Sequence, residues 1–295
     1  MYSSILSVLR CPHCGAEFEL EAAKTEGEEI TEGKITCKNG HGFSVRNGVL
    51  DFNSQEQKDL NSWSEYYKDE SYERLDREAD LQQTENQRKI RKDFFDGIIE
   101  EAKKLEEGYL LDIATGRGLL LRELLKKTDT NVHVISADLS FQVLKYDRVK
   151  LREINPQVKV SYIACDAAKL PVASESIDTV CTFVGFSNMM DLMEDGIREA
   201  ARVLKNGAPL INSAVYMDKD ADGAKKAAAY LAEIGMAGAE KIYIRDELTA
   251  IHKKYFDNVR EKIIYEGIAE KAEGDLIPCE GEWFANAVIV AEKNQ

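Results

Sequence analysis

Leu111-Asp112-Ile113-Ala114-Thr115-Gly116-Arg117-Gly118 runs from an apolar segment through an acid and two glycines into the apolar stretch that starts at Leu119. This reads as a strand, a tight turn and a helix N-terminus, a place where backbone passes close to a bound small molecule. Gly116 and Gly118 lack the Cβ that would obstruct that approach and the positive-φ turn it needs. Dinucleotide sites and ordinary tight turns share such a loop, so the loop alone decides little.

Two later acids sharpen the reading. Asp138 closes the apolar run Val132–Ala137, and Asp166 closes Val160–Cys165. Both runs read as buried parallel strands, and ligands in open α/β sheets bind beyond the C-terminal ends of such strands. An acid ending the second strand can accept both hydroxyls of a ribose. One ending the third can accept from an exocyclic adenine amine. A nicotinamide site would explain Asp138 as well, but its G-x-G-x-x-G pattern fails here at Leu121.

Asp166-Ala167-Ala168-Lys169-Leu170-Pro171 then leads into Ser176-Ile177-Asp178-Thr179-Val180, and Arg198–Gly207 follows. Over roughly residues 90–215 the chain resembles the class I S-adenosylmethionine-dependent methyltransferases. The resemblance implies a Rossmann-like α/β fold, a seven-stranded methyltransferase sheet ordered 3-2-1-4-5-7-6. It also implies S-adenosyl-L-methionine as cofactor, bordered by Asp112, Ala114, Gly116, Gly118, Asp138, Leu139, Asp166, Ala167 and Phe183. The family loop usually has glycine where this chain has Ala114, a methyl that is tolerated if the position turns with negative φ. Quinone-biosynthesis C-methyltransferases carry a similar Asp-x-Ala-Thr-Gly loop.

The first 52 residues carry a second signature. Cys11-Pro12-His13-Cys14-Gly15 and Cys37-Lys38-Asn39-Gly40-His41 pair a C-x2-C with a C-x3-H, separated by a hairpin-like stretch with Gly27 and Gly33. Cys11, Cys14, Cys37 and His41 form the three-thiolate, one-imidazole set of a closed structural Zn2+ site, and so short a unit would owe much of its folding to the metal. The unit resembles the zinc ribbons fused to methyltransferases. The expected organisation is a ribbon over 1–52, a charged helical linker or lid over 53–93, and the catalytic domain over 94–295. In the linker, Trp63, Tyr66 and Tyr67 share one helix face and are candidates to close the pocket.

Within the third unit the pattern predicts a helix at 94–106 and strands near 109–113, 132–137, 158–164, 177–183 and 208–215. A helix follows over 222–234, then one capped by Asp246 and running to about Phe256, then an antiparallel pair, Arg260–Tyr265 and Phe284–Ala291. The connection from Glu266 to Trp283 is expected on the cofactor face. Possible acid, base or substrate groups are Asn188, Tyr216, His252, Cys279, Glu280 and Glu282, with His252 read as a surface residue. No spacing singles out a catalytic one.

Composition bounds the partners. The chain has 295 residues, a formal charge of −14 and no apolar stretch of 18 residues, so no membrane span is expected. With no secretory signal and cysteines outside the zinc set read as small buried residues, the cytoplasm is the expected compartment. Nucleic-acid binding rests on Lys and Arg meeting phosphate, yet residues 1–52 hold five Lys/Arg against eight Asp/Glu. A neutral or cationic small-molecule methyl acceptor is therefore favoured, and the similarity of Phe183–Met189 to quinone-type C- and O-methyltransferases implies modification at carbon or oxygen. The alternatives are a ribosomal RNA guanine methyltransferase, which the ribbon resembles, and a non-catalytic cofactor-binding scaffold. Neither oligomeric state nor acceptor identity is legible.

Overall fold

The computed structural model describes residues 1–53, 74, 77, 78, 81, 83–270 and 279–294. Trp63, Tyr66 and Tyr67 lie outside these residues, as does the middle of the connection before Trp283.

Four strands form first: β1 (Phe18–Glu26), β2 (Glu29–Cys37), β3 (Gly42–Arg46) and β4 (Val49–Asp51). β1 and β2 make a hairpin whose two-residue turn, Gly27-Glu28, has Gly27 at φ 60°. The central strands follow: β5 (Gly108–Ile113), β6 (Val132–Asp138), β7 (Val160–Ala164), β8 (Thr179–Thr182) and β9 (Pro209–Met217). An antiparallel pair, β10 (Asn258–Ile268) and β11 (Trp283–Glu292), ends the chain. The helices are α1 (Glu85–Ala102), α2 (Leu119–Leu125), α3 (Phe141–Leu151), α4 (Gly185–Asn188), α5 (Met193–Val203), α6 (Asp222–Glu233) and α7 (Arg245–His252).

Among the described residues the sheet has eleven strands rather than the expected seven, in the order β1-β2-β3-β4-β7-β6-β5-β8-β9-β11-β10. The extra width has a physical cause. β7 would otherwise end the parallel sheet with a row of unpaired backbone groups, and β4 pairs with it in parallel, Leu50 opposite Ile163. The chain then leaves β4 still attached to that edge, the Phe52 N–H donating to the Ala164 carbonyl (2.8 Å). At the start of the chain, Arg10 N–H donates to Pro171 O (2.9 Å) and Ala173 N–H to Val8 O (2.8 Å).

Alternation along each strand sends side chains to two cores, one on each face. Leu111, Ile113, Ile135 and Ala137 face a core shared with Ile5, Leu9, Phe18, Ile35 and Leu50, so the N-terminal strands and the central sheet pack into one apolar mass. Leu110, Val132 and Val134 face the other, with Phe94, Phe95 and Ile98 of α1 and Leu121 and Leu124 of α2.

Two helices differ from expectation. α1 starts at Glu85, not at 94, because Thr84 and Gln87 form a capping box: Gln87 N–H donates to Thr84 Oγ1 (3.1 Å) and Thr84 N–H to Gln87 Oε1 (2.9 Å). α7 has Ile244, not Asp246, at its N-cap, and ends at His252; Asp246 sits in the first turn, where an acid favours the helix dipole. Further on, Arg202 ties α5 to the loop after Asp166, donating to the carbonyls of Val172 (2.7 Å) and Leu170 (3.0 Å), while Glu199 accepts from Leu170 N–H (2.9 Å). This gives the Arg198–Gly207 stretch a structural task.

Candidate functional site

The C-terminal ends of β5, β6 and β7 open into a cavity of about 460 Å3. Asp112, Ala114, Gly116, Asp138, Leu139, Asp166, Ala167 and Phe183 all line it, as does Asn188. Gly118 does not. It stands one turn back at φ 64°, where a Cβ would fall 2.7 Å from Asp147 Oδ2, so its task is close packing of α2 on α3.

Asp138 organises this cavity. Its side chain is buried, and its two oxygens accept from Gly116 N–H (2.9 Å) and Ser140 N–H (2.8 Å), joining the glycine loop to the start of α3. Burial raises its pKa, against the pull of those N–H groups. Each carboxylate oxygen still has acceptor capacity toward a ligand. Asp112, on the neighbouring strand, accepts from Thr115 Oγ1 (2.6 Å), and burial pushes its carboxyl up to about 7. Asp166 is half-buried and holds the Ala168 N–H (2.8 Å). A Cβ on Gly116 would have only the Ala114 carbonyl near it, at 4.0 Å, so this backbone faces open space and leaves room for a ligand.

The turn expected at Ala114 with negative φ has φ 52° instead. Val184, across the cavity, has φ 53°. Left-handed backbone is costly for any residue with a Cβ, more so for a branched one, and such strain gathers at binding sites. The two loops also touch: a Cβ on Gly185 would lie 2.9 Å from Ala114 Cβ and 2.1 Å from Thr182 Oγ1.

A second cavity, about 440 Å3, adjoins the first and shares Arg117, Leu119, Phe183 and Val184 with it. Ile90 and Phe94 of α1 form one side; Val215, Ile268, Phe284 and Asn286 from the ends of β9, β10 and β11 form another. Phe183 packs edge-on against Phe94 (5.6 Å) and Phe95 (4.7 Å) at the junction. The flanks of the expected 266–283 connection do reach this cavity, through Ile268, Ala269 and Glu270.

Most of the other candidate groups are elsewhere. His252 is fully buried, not at the surface: Nδ1 lies 2.8 Å from Leu248 O and Nε2 3.4 Å from Asn212 Nδ2, and burial lowers its pKa to about 4. Tyr216 donates to Glu261 (3.0 Å) inside the core. Glu282 accepts from Gly223 and Cys279 N–H (2.8 and 3.2 Å), and neither it, Cys279 nor Glu280 lines either cavity. Asn286 was missed, although it is the one polar residue in the apolar run Phe284–Ala291.

Far along the sheet, the ligand atoms of Cys11, Cys14, Cys37 and His41 lie within 4.8 Å of one another. Gly15 and Gly40 turn the two knuckles at φ 70° and 85°. Hydrogen bonds from Ala16 N–H and Asn39 bring the Cys14 thiol down to about 6, toward the thiolate that a metal binds. His13 stacks on Phe43 (5.8 Å).

Residues 110–207 match the family model described as a methyltransferase domain. Demethylmenaquinone methyltransferase of Porphyromonas gingivalis is 32% identical over 102 residues, 35% of this chain and 41% of that protein. The ubiquinone/menaquinone biosynthesis C-methyltransferase UbiE of Pseudomonas aeruginosa is 34% identical over 102 residues, 35% of this chain and 40% of its own length. The chain thus spans about two fifths of the curated relatives it matches. A putative methyltransferase from Bacillus halodurans has a similar fold, with TM-score 0.50 and 15% identity over 68% of this chain and 99% of its own. The YcgJ protein from Bacillus subtilis is similar to the same degree, TM-score 0.50 and 14% identity over 68% and 98%.

Strain at Ala114 yields a direct expectation. Glycine there relieves a left-handed cost of about 1–2 kcal/mol and gives back about 0.4–1 kcal/mol through the freer unfolded chain. Ala114→Gly should therefore raise unfolding stability by about 0.5–1 kcal/mol in urea titrations; an unchanged or lower stability would contradict the assigned strain.

Proposed function

We propose that this chain transfers a methyl group from S-adenosyl-L-methionine to a small-molecule acceptor, and that the two adjoining cavities hold the two reactants. The observation that carries the reading is their shared wall. Eight of the nine residues assigned to the cofactor line one cavity, and Phe183, one of them, also lines the next. The methyltransferase match over 110–207 and the printed activities of the relatives support the same class.

When bound, S-adenosylmethionine supplies an electrophilic methyl group on a sulfonium sulfur. The chain's part is alignment and exclusion of water. Asp138 would take the ribose hydroxyls on its remaining lone pairs, its position fixed beforehand by Gly116 and Ser140 N–H. Asp166 would accept from the adenine amine, with Leu139 and Ala167 beside the base, and Gly116 would leave space for the methionine end. Phe183 would hold the acceptor at the junction, and in-line alignment accounts for much of the rate in a displacement of this kind. No general base is required of the residues on either wall.

Cys11, Cys14, Cys37 and His41 would hold one structural Zn2+. Tetrahedral thiolates about 2.3 Å from zinc stand ~3.8 Å apart, and Cys14 and Cys37 Sγ are 3.7 Å apart. Four protein ligands leave no position for a reacting water. The ribbon's own acidity and its packing into the sheet support a structural task for it over RNA gripping.

Two measurements check these assignments. Asp138→Asn keeps the shape but removes the charged acceptor, and calorimetry should show S-adenosylhomocysteine affinity falling by about one to two decades; unchanged affinity would remove Asp138 from the site. Purified protein should contain close to one zinc per chain, lost in Cys14→Ser, with a lower unfolding midpoint for the whole chain in a single transition. A separate early transition for the ribbon would contradict its integration into the sheet.

A further inference from the structure

Asn286 sits in the middle of β11 between Ala285 and Ala287, both fully buried, and is itself only 6% exposed. Its backbone is paired on both sides, opposite Tyr265 of β10 and Val215 of β9. Its side-chain amide is different. Among the described residues it has no hydrogen-bond partner, and it lines the 440 Å3 cavity beside the cofactor cavity. An amide that opens onto a cavity and spends neither its donor nor its acceptor on the protein keeps both for what the cavity holds, so it is a place where a ligand atom is expected.

The rest of the wall defines what that ligand presents. Phe94, Phe183 and Phe284 line the same cavity, and the Phe94–Phe183 pair meets edge to face. The charged groups on the lining are Arg91, Arg117 and Glu270, and Glu270 accepts from Asn86 (3.2 Å). The amides of Gln83, Asn86 and Gln87 also line the cavity, from α1 and the turn before it, whereas Asn286 lies on the strand side beside Phe284. Rings supply area and a few placed polar groups supply register, the pattern by which small-molecule sites fix orientation. An amide both donates and accepts, so it matches a hydroxyl or keto oxygen.

Resting on the methyl-transfer reading, we propose that Asn286 is the residue that positions the acceptor, hydrogen-bonding an oxygen of a flat apolar molecule so that its reacting atom points across Phe183 to the cofactor cavity. Asn286 thereby selects oxygen-bearing acceptors over hydrocarbons of the same outline. It touches the acceptor but moves no proton.

The test uses the full chain saturated with S-adenosylhomocysteine and two molecules of equal outline, 1-naphthol and 1-methylnaphthalene, followed by equilibrium dialysis. Wild type should bind the naphthol about tenfold more tightly than the hydrocarbon. Asn286→Val should bring the two affinities together while leaving S-adenosylhomocysteine binding intact and the unfolding midpoint equal or higher, because the valine removes a buried amide without removing a partner. A purely structural asparagine would instead lower the midpoint and leave the preference in place. Equal binding of both molecules by wild type, or a preference that survives in Asn286→Val, overturns the proposal; if the valine variant does not fold, Asn286→Ala is read by the same criteria. Absence of S-adenosylhomocysteine binding in wild type would count against the methyl-transfer reading instead, and the naphthol comparison would still judge Asn286 without it.

Discussion

The carboxylate of Asp138 is the constraint on which the site depends. A buried carboxyl must find partners, and the donors here are the backbone N–H groups of Gly116 and Ser140, which belong to the loops after β5 and β6. The two loops are therefore held at a fixed separation, and the cavity between them exists before any ligand arrives. The same demand explains the strain nearby. For Gly116 N–H to reach Asp138, the chain turns through left-handed backbone at Ala114 and Gly116, and Ala114 bears the cost. Preorganisation of this kind suits a reaction in which alignment matters more than proton transfer.

Support for that clamp extends to the far edge of the sheet. Asn53, two residues beyond β4, donates to the carbonyl of Leu139 (2.6 Å), immediately next to Asp138. β4 itself covers the open edge of β7, and behind it Phe18, Phe43 and Phe52 pack ring on ring at 4.8–5.9 Å. The Cys/His knuckles thus anchor a set of strands that buttress the cavity instead of hanging apart from it. This gives a physical reason for joining these N-terminal strands to the sheet: they remove an exposed edge and stiffen the loop that follows β6.

Much of this arrangement was legible because it is local. The glycine loop, the acids ending β6 and β7, the Cys/His spacings and the apolar runs are each set by a few consecutive residues. Elements decided at long range were not. Nothing in Val49-Leu50-Asp51 announces a parallel partner more than a hundred residues away, so the sheet came out wider than expected. His252 has charged neighbours that suggest solvent, yet α7 turns it against β9, where Asn212, forty residues away in sequence, meets the ring nitrogen that the Leu248 carbonyl does not. Two signals were local and were passed over: the Thr84–Gln87 capping box, which starts α1 nine residues early, and Asn286, whose isolation in an apolar strand marks it.

The central claim is that the cavity clamped by Asp138 is a nucleoside site. A crystal structure of the protein with S-adenosylhomocysteine tests it most directly. The account predicts the ribose hydroxyls on Asp138, the adenine beside Leu139 and Ala167 with its amine toward Asp166, and the sulfur end directed at Phe183 and the second cavity. A ligand bound elsewhere, or one lying in this cavity with its ribose away from Asp138, would contradict it.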